Sequence, residues 1–149
     1  MRIIEATEAD ALYIEALLEA NGYPTTGIRE YRPVFCIGVD EGDYVGVGGY
    51  ERYGRDALFR PIVVEEAVRG KGYRRGICTE LFRRVERAGA TAVYLRTRDP
   101  EYFSRIGFDD CDPATVPRAI RETSTFSDDS MASVRCMRRT LPADPRPAE

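Results

Sequence analysis

The 149-residue chain contains no histidine. Histidine is the commonest general base and metal ligand in proteins, so its absence excludes a Ser-His-Asp triad, a Cys-His pair and a typical histidine-containing zinc site. The four cysteines, Cys36, Cys78, Cys111 and Cys136, lack Cys-x-x-Cys spacing and are predicted to be free thiols in buried segments. The chemistry of this protein must therefore use other groups, and we expect no metal cofactor.

The sequence also lacks a long apolar run. No stretch approaches the ~18 apolar residues of a membrane span, and Met1–Asp10 carries charges where a signal peptide would be apolar. A net charge of −3 and a pI near 5.2 argue against general binding to nucleic acid or to an anionic membrane. We expect a soluble cytoplasmic protein with one domain over residues 1–141 and a disordered, proline-rich tail over Pro142–Glu149.

Short β-rich and helical patterns follow one another along the chain. Strands are predicted at Arg2–Ala6, Val34–Val39, Tyr44–Tyr53, Ala57–Glu65, Thr91–Thr97, Phe108–Cys111 and Ser133–Arg139. Helices are predicted between Thr7 and Gly22, at Gly72–Gly89, at Asp99–Ile106 and at Val116–Glu122, with a short helix or loop at Thr25–Tyr31. The order strand, glycine-containing loop, helix, strand between Ala57 and Thr97 predicts a pair of parallel strands.

The segment from Arg69 to Arg75, with the sequence RGKGYRR, places four cations at the predicted start of the longest helix. Cations are mildly unfavourable there, because the helix dipole already presents partial positive charge. A bound polyanion would compensate, held by free backbone N–H groups and these side chains, and glycines let it approach the backbone. Lys71 is also the only lysine of the chain. The alternative is a solvated basic loop that merely begins a helix.

Two nucleotide-binding motifs do not fit this loop. A Walker A loop requires GxxxxGK[ST] and a Rossmann fingerprint requires GxGxxG, whereas the glycines here are spaced as GxGxxxG. The loop resembles the [Q/R]xxGx[G/A] pyrophosphate loop of the GNAT N-acetyltransferases, with Arg74 in place of the final glycine or alanine. It follows the apolar residues Ile62–Val64, as in that family. The segment Tyr102–Phe108, YFSRIGF, is similar to the family's later helix and its Gly-Phe ending.

The resemblance covers about Val34 to Asp112 and implies an α/β (α+β) fold. It implies a GNAT-like mixed, mostly antiparallel central sheet of six or seven strands, with a splayed parallel pair and about four flanking helices. Pro61 agrees with this, because proline is excluded from central strands except at a bulge, and the family's fourth strand bulges and splays. Acetyl-CoA is implied as cosubstrate. Its predicted contacts are Ile62, Val63, Val64, Arg69, Gly70, Lys71, Gly72, Tyr73, Arg74 and Phe103.

The chemistry that the resemblance implies is direct attack of a primary amine on the thioester, without an acyl-enzyme. An alkylammonium must first lose a proton, so a carboxylate is the expected base, and Glu51, Glu65 and Glu66 are candidates. Each is alternatively a solvated residue at a strand end. Phe103 stands where many family members have a tyrosine that protonates the departing sulfur. Phe103 is therefore predicted to form part of the wall of the site, and Tyr102 is a candidate for the missing acid. A thiol with a pKa of about 8.5 also leaves as thiolate.

The acceptor is less defined by the sequence. Arg60 and Arg96 are placed where both could face it, which would suit a carboxylate or another oxyanion; the alternative is that they face solvent. Val116–Ile120, Phe126-Ser127 and Met137–Arg139 resemble a GNAT branch associated with arsenic-resistance operons, which suggests amine-bearing arsenicals or similar small molecules.

The expected partners are therefore acetyl-CoA and a small amine, without nucleic acid or membrane, and a homodimer is left open. A different hypothesis is a noncatalytic acyl-CoA-binding or sensing module. It is motivated by Phe103 in place of the tyrosine and by Arg74 in the loop.

Overall fold

The computed structural model describes residues 1–30, 32–127 and 134–141. In these residues a seven-stranded sheet has the order β1-β2-β3-β4-β5-β7-β6. Its strands are β1 Arg2–Glu5, β2 Val34–Asp40, β3 Asp43–Tyr53, β4 Asp56–Val64, β5 Ala92–Thr97, β6 Asp109–Asp110 and β7 Arg135–Thr140. The α-helices are α1 Ala11–Ala20, α2 Tyr73–Arg87, α3 Pro100–Arg105, α4 Arg118–Arg121 and α5 Ser124–Ser127.

The sheet is antiparallel except between β4 and β5. The parallel ladder is confined to Asp56–Leu58 opposite Ala92–Tyr94. Beyond it the two strands separate, and the later residues of both line a common cavity. The predicted mixed sheet with a splayed parallel pair is confirmed.

Pro61 lies in a bulge of β4. The flanking pairs are Val47 with Val63 and Gly49 with Arg60. One more residue therefore separates the two pairs on β4 than on β3, and neither Pro61 nor Ile62 has a partner in the ladder. Proline has no N–H to donate, so it is tolerated at this position, and the bulge turns β4 away from β5.

Helix α2 follows the cationic loop and packs on the sheet. Its buried face is formed by Ile77, Cys78, Leu81 and Val85. The helix is shorter than the predicted Gly72–Gly89. Gly72 is its N-cap, and its last helical residue is Arg87, because Gly89 adopts a φ of 95° that ends the helix.

Other predicted elements differ in extent. Residues 25–30 form turns, and Tyr31 lies outside the described residues. The helix predicted at Val116–Glu122 is limited to α4, and α5 was not predicted. The strand predicted at Phe108–Cys111 is reduced to β6, because only Asp109 and Asp110 pair with β7. Ser133, where the last strand was predicted to begin, and the tail from Pro142 also lie outside the described residues.

The four cysteines are free thiols, as predicted. Cys36, Cys78 and Cys136 are buried, but Cys111 is half-buried. Burial raises the pKa of Cys36 to about 11 and that of Cys78 to about 12. These two thiols are therefore protonated at neutral pH and belong to the core.

Candidate active site at the splayed strands

A cleft of about 520 Å³ extends from the end of β4 to the start of α2. It is lined by Asn21, Tyr23, Ile62, Val63, Val64, Arg69, Gly70, Gly72, Tyr73, Arg74, Arg75 and Tyr102. Most of the predicted coenzyme contacts thus lie on one continuous surface. Lys71 is exposed beside it, and Phe103 lines a neighbouring cavity.

The loop before α2 has an open backbone. Gly70 and Gly72 both have a φ of 84°, a left-handed conformation that glycine adopts without strain, and a Cβ at either position would meet nothing within 4 Å. The N–H groups that follow Gly72 open α2, where a helix has no internal carbonyls for its first donors. The loop therefore presents N–H groups, partial positive charge and free space at one end of the cleft.

The loop's arginines have different surroundings. Arg69 donates to the Val64 carbonyl oxygen at 3.1 Å and to the Asn21 side-chain oxygen at 2.6 Å, so it ties the loop to β4 and α1. Arg74 pairs with Asp99 at 3.0 Å and lies 3.6 Å from the ring centre of Tyr102. Arg75 is exposed at the cleft.

Tyr73 anchors the start of α2 to the β2–β3 hairpin. Its hydroxyl donates a hydrogen bond to the Asp40 carboxylate. This bond lowers the pKa of Asp40, with a smaller contribution from the amino terminus, and raises the pKa of Tyr73. The role of Tyr73 in the described structure is thus to fix the loop.

A second cavity, of about 100 Å³, lies between the splayed strands. It is lined by Tyr23, Arg60, Pro61, Ile62, Arg74, Leu95, Arg96, Thr97, Arg98, Asp99 and Phe103. Four arginines and one aspartate carry the formal charges of its lining, and Arg74 is ion-paired with Asp99. Arg60 and Arg96, both predicted to face the acceptor, lie together on this cavity.

Glu51 and Arg60 form a buried ion pair. The Arg60 guanidinium donates to Glu51 Oε2 at 2.7 Å, and the two side chains are 5% and 6% exposed. The Tyr53 hydroxyl donates to the other carboxylate oxygen of Glu51. Arg60 also donates to the Thr26 carbonyl oxygen at 3.1 Å, and its Nε has no partner among the described residues. Both oxygens of Glu51 are therefore engaged.

Glu65, the other predicted base, lies at the end of β4 outside both cavities. The Tyr13 hydroxyl donates to Glu65 Oε2 at 2.6 Å. Burial and this hydrogen bond raise the pKa of Tyr13. Glu66, also a candidate, is exposed in the turn that follows.

Tyr102 and Phe103 face different surroundings. The Tyr102 ring lines the larger cleft beneath Arg74, but its hydroxyl is buried without a partner among the described residues. Burial raises the pKa of Tyr102. Phe103 is 6% exposed, packs edge-on against Phe108 at 5.6 Å between ring centres, and lines the smaller cavity.

Several residues at the site were not predicted. Tyr23 lines both cavities and is covered by Arg98 at 4.4 Å, and Arg98 also donates to the Asn21 and Gly22 carbonyl oxygens. Asp99 was recognised only as the start of a helix. Arg98 and Asp99 directly follow β5, so their nearness to Arg96 could have indicated both as site residues. Nothing in the sequence places the turn after α1 against the end of β5.

Over residues 1–30, 32–127 and 134–141, no group of three or more Cys, Asp or Glu side chains is arranged to hold a metal ion. No helix in the same ranges is long and apolar enough to cross a membrane.

Comparison with protein-family models and with curated proteins finds no match. Solved structures do match. The Mycobacterium tuberculosis protein Rv2747, in complex with CoA and a second ligand, has a TM-score of 0.80 at 18% identity, over 95% of this chain and 99% of that one. An aminoglycoside 6'-N-acetyltransferase complexed with coenzyme A has a TM-score of 0.72 at 17% identity, over 99% and 100% of the two chains.

An N-acetylglutamate synthase from Neisseria gonorrhoeae, complexed with coenzyme A and N-acetyl-glutamate, has a TM-score of 0.76 at 17% identity. The match covers 95% of this chain but 35% of the synthase chain. At these identities the likeness establishes the fold, which is that of the GNAT acetyltransferases.

Proposed function

We propose that this protein is an acetyl-CoA-dependent N-acetyltransferase that acts on a small primary amine. The observation that carries the proposal is the continuity of three features: a glycine loop at a helix N-terminus, the bulged β4, and the cavity where β4 and β5 separate. A coenzyme with a diphosphate at the loop and its pantetheine arm along β4 would present its thioester at this cavity. Several structural neighbours were solved in complex with CoA, which supports CoA as the ligand of this cleft.

In this arrangement the coenzyme is held mainly by backbone groups. The N–H groups at Gly70–Arg74 and the nearby cations would bind the diphosphate. Ile62 and Val64, beside the bulge, would bond to the amide groups of the arm and polarise the thioester carbonyl. Lys71, exposed next to the loop, would contribute charge without a fixed geometry.

The reaction itself needs no acyl-enzyme. The amine nitrogen attacks the thioester carbon, a C–N bond forms, the C–S bond breaks, and its electron pair leaves with the sulfur as thiolate. Phe103 supplies no proton there. Tyr102 is the candidate proton donor, and its raised pKa keeps the phenol protonated at neutral pH.

The candidate bases Glu51 and Glu65 differ in position, and the third candidate, Glu66, is exposed in a turn. Glu51 lies behind Arg60 at the smaller cavity, but Arg60 and Tyr53 occupy both of its oxygens, so its main effect is to hold Arg60 in place. Glu65 has one oxygen bonded to Tyr13 and lies at the end of β4 that leads into the loop. Because Glu65 lies outside both cavities, we propose that it takes the proton of the ammonium group through intervening water and not by direct contact.

The acceptor that the smaller cavity suits is an amine that also bears an anionic group. Three of its arginines donate to backbone carbonyl oxygens, namely Arg60 to Thr26, Arg96 to Thr125 and Arg98 to Asn21. The four arginines of the lining outnumber its one aspartate and the Glu51 carboxylate that pairs with Arg60, so we expect the cavity to favour an anionic group on the acceptor over a polycationic acceptor. Amino acids belong to the favoured class. An amine-bearing arsenical with an acidic group belongs to it as well, and its acetylation would link the protein to arsenic resistance.

Acetyl transfer can be measured by the release of CoA thiol with two matched acceptors, an L-amino acid and its carboxamide. We expect kcat/KM for the amino acid to exceed that for the amide by about tenfold or more, because the amide lacks the charge that the arginines favour. Equal values would refute the anionic acceptor. Arg96→Met should reduce the preference, and an aminoglycoside should be a poor substrate.

The alternative is a noncatalytic acyl-CoA sensor, favoured by Phe103 and by the buried Tyr102 hydroxyl. Titration calorimetry separates the two hypotheses. Binding of CoA without thiol release from acetyl-CoA, across amino acids, aliphatic amines and aminoglycosides, would favour the sensor. Absence of CoA binding would refute both.

A further inference from the structure

Tyr23, Ile62 and Arg74 line both the larger cleft and the smaller cavity, so they form the partition between the two. Arg74 is the charged member of this partition. In the [Q/R]xxGx[G/A] motif that this loop resembles, the position of Arg74 is glycine or alanine. Arg74 therefore adds a long side chain where that motif leaves space. A group that passes from the cleft into the cavity therefore crosses a boundary that includes this side chain.

Arg74 is held across the partition from two sides. One guanidinium nitrogen lies 3.0 Å from Asp99 Oδ2, at the start of α3, and the guanidinium carbon lies 3.6 Å from the Tyr102 ring centre. Asp99 lines the smaller cavity and Tyr102 lines the larger cleft. We call the three residues the Arg74 gate.

We propose that the Arg74 gate makes the acyl channel responsive to the diphosphate of the coenzyme. This inference rests on the proposed acetyltransferase function. A diphosphate bound at Gly70–Gly72 competes with Asp99 for the Arg74 guanidinium, and a bidentate arginine–phosphate contact is stronger than an exposed arginine–carboxylate pair. When Arg74 turns towards the diphosphate, it leaves the partition, and the pantetheine arm can reach the smaller cavity.

The ion pair is weak enough to be exchanged. The side chains of Arg74 and Asp99 are 36% and 49% exposed. Pairs with such exposure contribute little free energy in water. The Arg74–Asp99 pair therefore favours the closed position of Arg74 over the open one by only about two- to fivefold. The gate therefore selects thioesters that carry a diphosphate over shorter thioesters that lack one.

The test compares acetyl-CoA with acetyl-pantetheine, which has the same thioester arm but no diphosphate. Arg74→Ala should lower kcat/KM for acetyl-CoA by about tenfold and raise it for acetyl-pantetheine by about two- to fivefold, because the diphosphate contact is lost while the channel is opened. Arg75→Ala is the control variant, because it removes the same charge from a residue that lines the larger cleft but not the smaller cavity. It should lower the acetyl-CoA value without raising the acetyl-pantetheine value.

Asp99→Asn provides a second, independent measurement. Asparagine retains an oxygen for the N-cap bond from the Tyr102 N–H but no longer competes by charge for Arg74. The KM for acetyl-CoA should fall about twofold or more while kcat is retained. A rise in that KM would overturn the gate.

The outcomes also separate the gate from the proposed function. If the wild-type protein binds CoA and releases thiol from acetyl-CoA, but Arg74→Ala lowers the rates with both thioesters in parallel, the gate is refuted and the acetyltransferase function stands. If the wild-type protein has no affinity for CoA by calorimetry, both are refuted.

Discussion

Breaking the buried Glu51–Arg60 pair from one side should cost a large part of the protein's stability. The two charged groups are 2.7 Å apart and nearly inaccessible to water. Glu51→Gln leaves the Arg60 charge buried without its counterion, and removing one partner of a buried pair costs about 3–5 kcal/mol of a total unfolding free energy of about 5–15 kcal/mol. With a urea m value of about 2 kcal/mol/M, the unfolding midpoint should fall by about 1.5–2.5 M.

The double variant Glu51→Leu/Arg60→Met completes a cycle with the two single variants, Glu51→Leu and Arg60→Met. It removes both charges together, so it should be more stable than either single variant by about 2 kcal/mol or more. The exposed pair Arg118–Glu122 is the control, because its side chains are 81% and 65% exposed, and Glu122→Gln should change stability by less than about 0.5 kcal/mol. Losses below about 1 kcal/mol for Glu51→Gln and both single variants of the cycle would refute the argument from burial.

Two further predictions concern the loop and the core. Gly72→Val should weaken CoA binding by about tenfold or more in calorimetry, whereas Gly54→Val, at a φ of 65° in the β3–β4 turn, introduces similar strain and should leave CoA affinity unchanged; equal effects would contradict the loop assignment. The raised pKa values of Cys36 and Cys78 give stability that is full below pH 9 and lost as the pH rises towards 11 and 12, because the unfolded thiols ionise first. The unfolding free energies of Cys36→Ala and Cys78→Ala, measured in urea, should decline less steeply above pH 9 than that of the wild-type protein. Equal slopes of free energy against pH would contradict this.

Much of the fold could be predicted because its signals are local. The spacing of Ile77, Leu81 and Val85 identifies the buried face of α2, and the two glycines before Tyr73 identify its start. Pro61 marks the bulge, since a proline in a central strand needs an interruption of the ladder. The limits of α2 and β6 were less accurate. Gly89 adopts a positive φ and ends α2 early, and the length of β6 depends on its pairing with β7, which the local sequence does not specify.

The partners of the site's charged residues could not be predicted in the same way. Glu51 and Arg60 lie on adjacent strands, but their pairing depends on the β3–β4 register, in which Glu51 lies opposite Leu58 and Arg60 opposite Gly49. The contact of Arg74 with Asp99 joins two helix starts that only the βαβ crossover brings together. The sequence identified Glu51, Arg60 and Arg74 as candidates for the site, whereas long-range packing determines which residues they contact.

The same packing explains how the arginines of the smaller cavity are positioned. Arg96 and Arg98 donate to main-chain oxygens of α5 and of the turn after α1, and Arg60 reaches the turn at Thr26 as well as Glu51. Each bond holds a segment that borders the cavity. Substituting one of these arginines should therefore affect both the position of its segment and acceptor affinity, whereas lysine at the same place would retain the charge but not the planar set of donors.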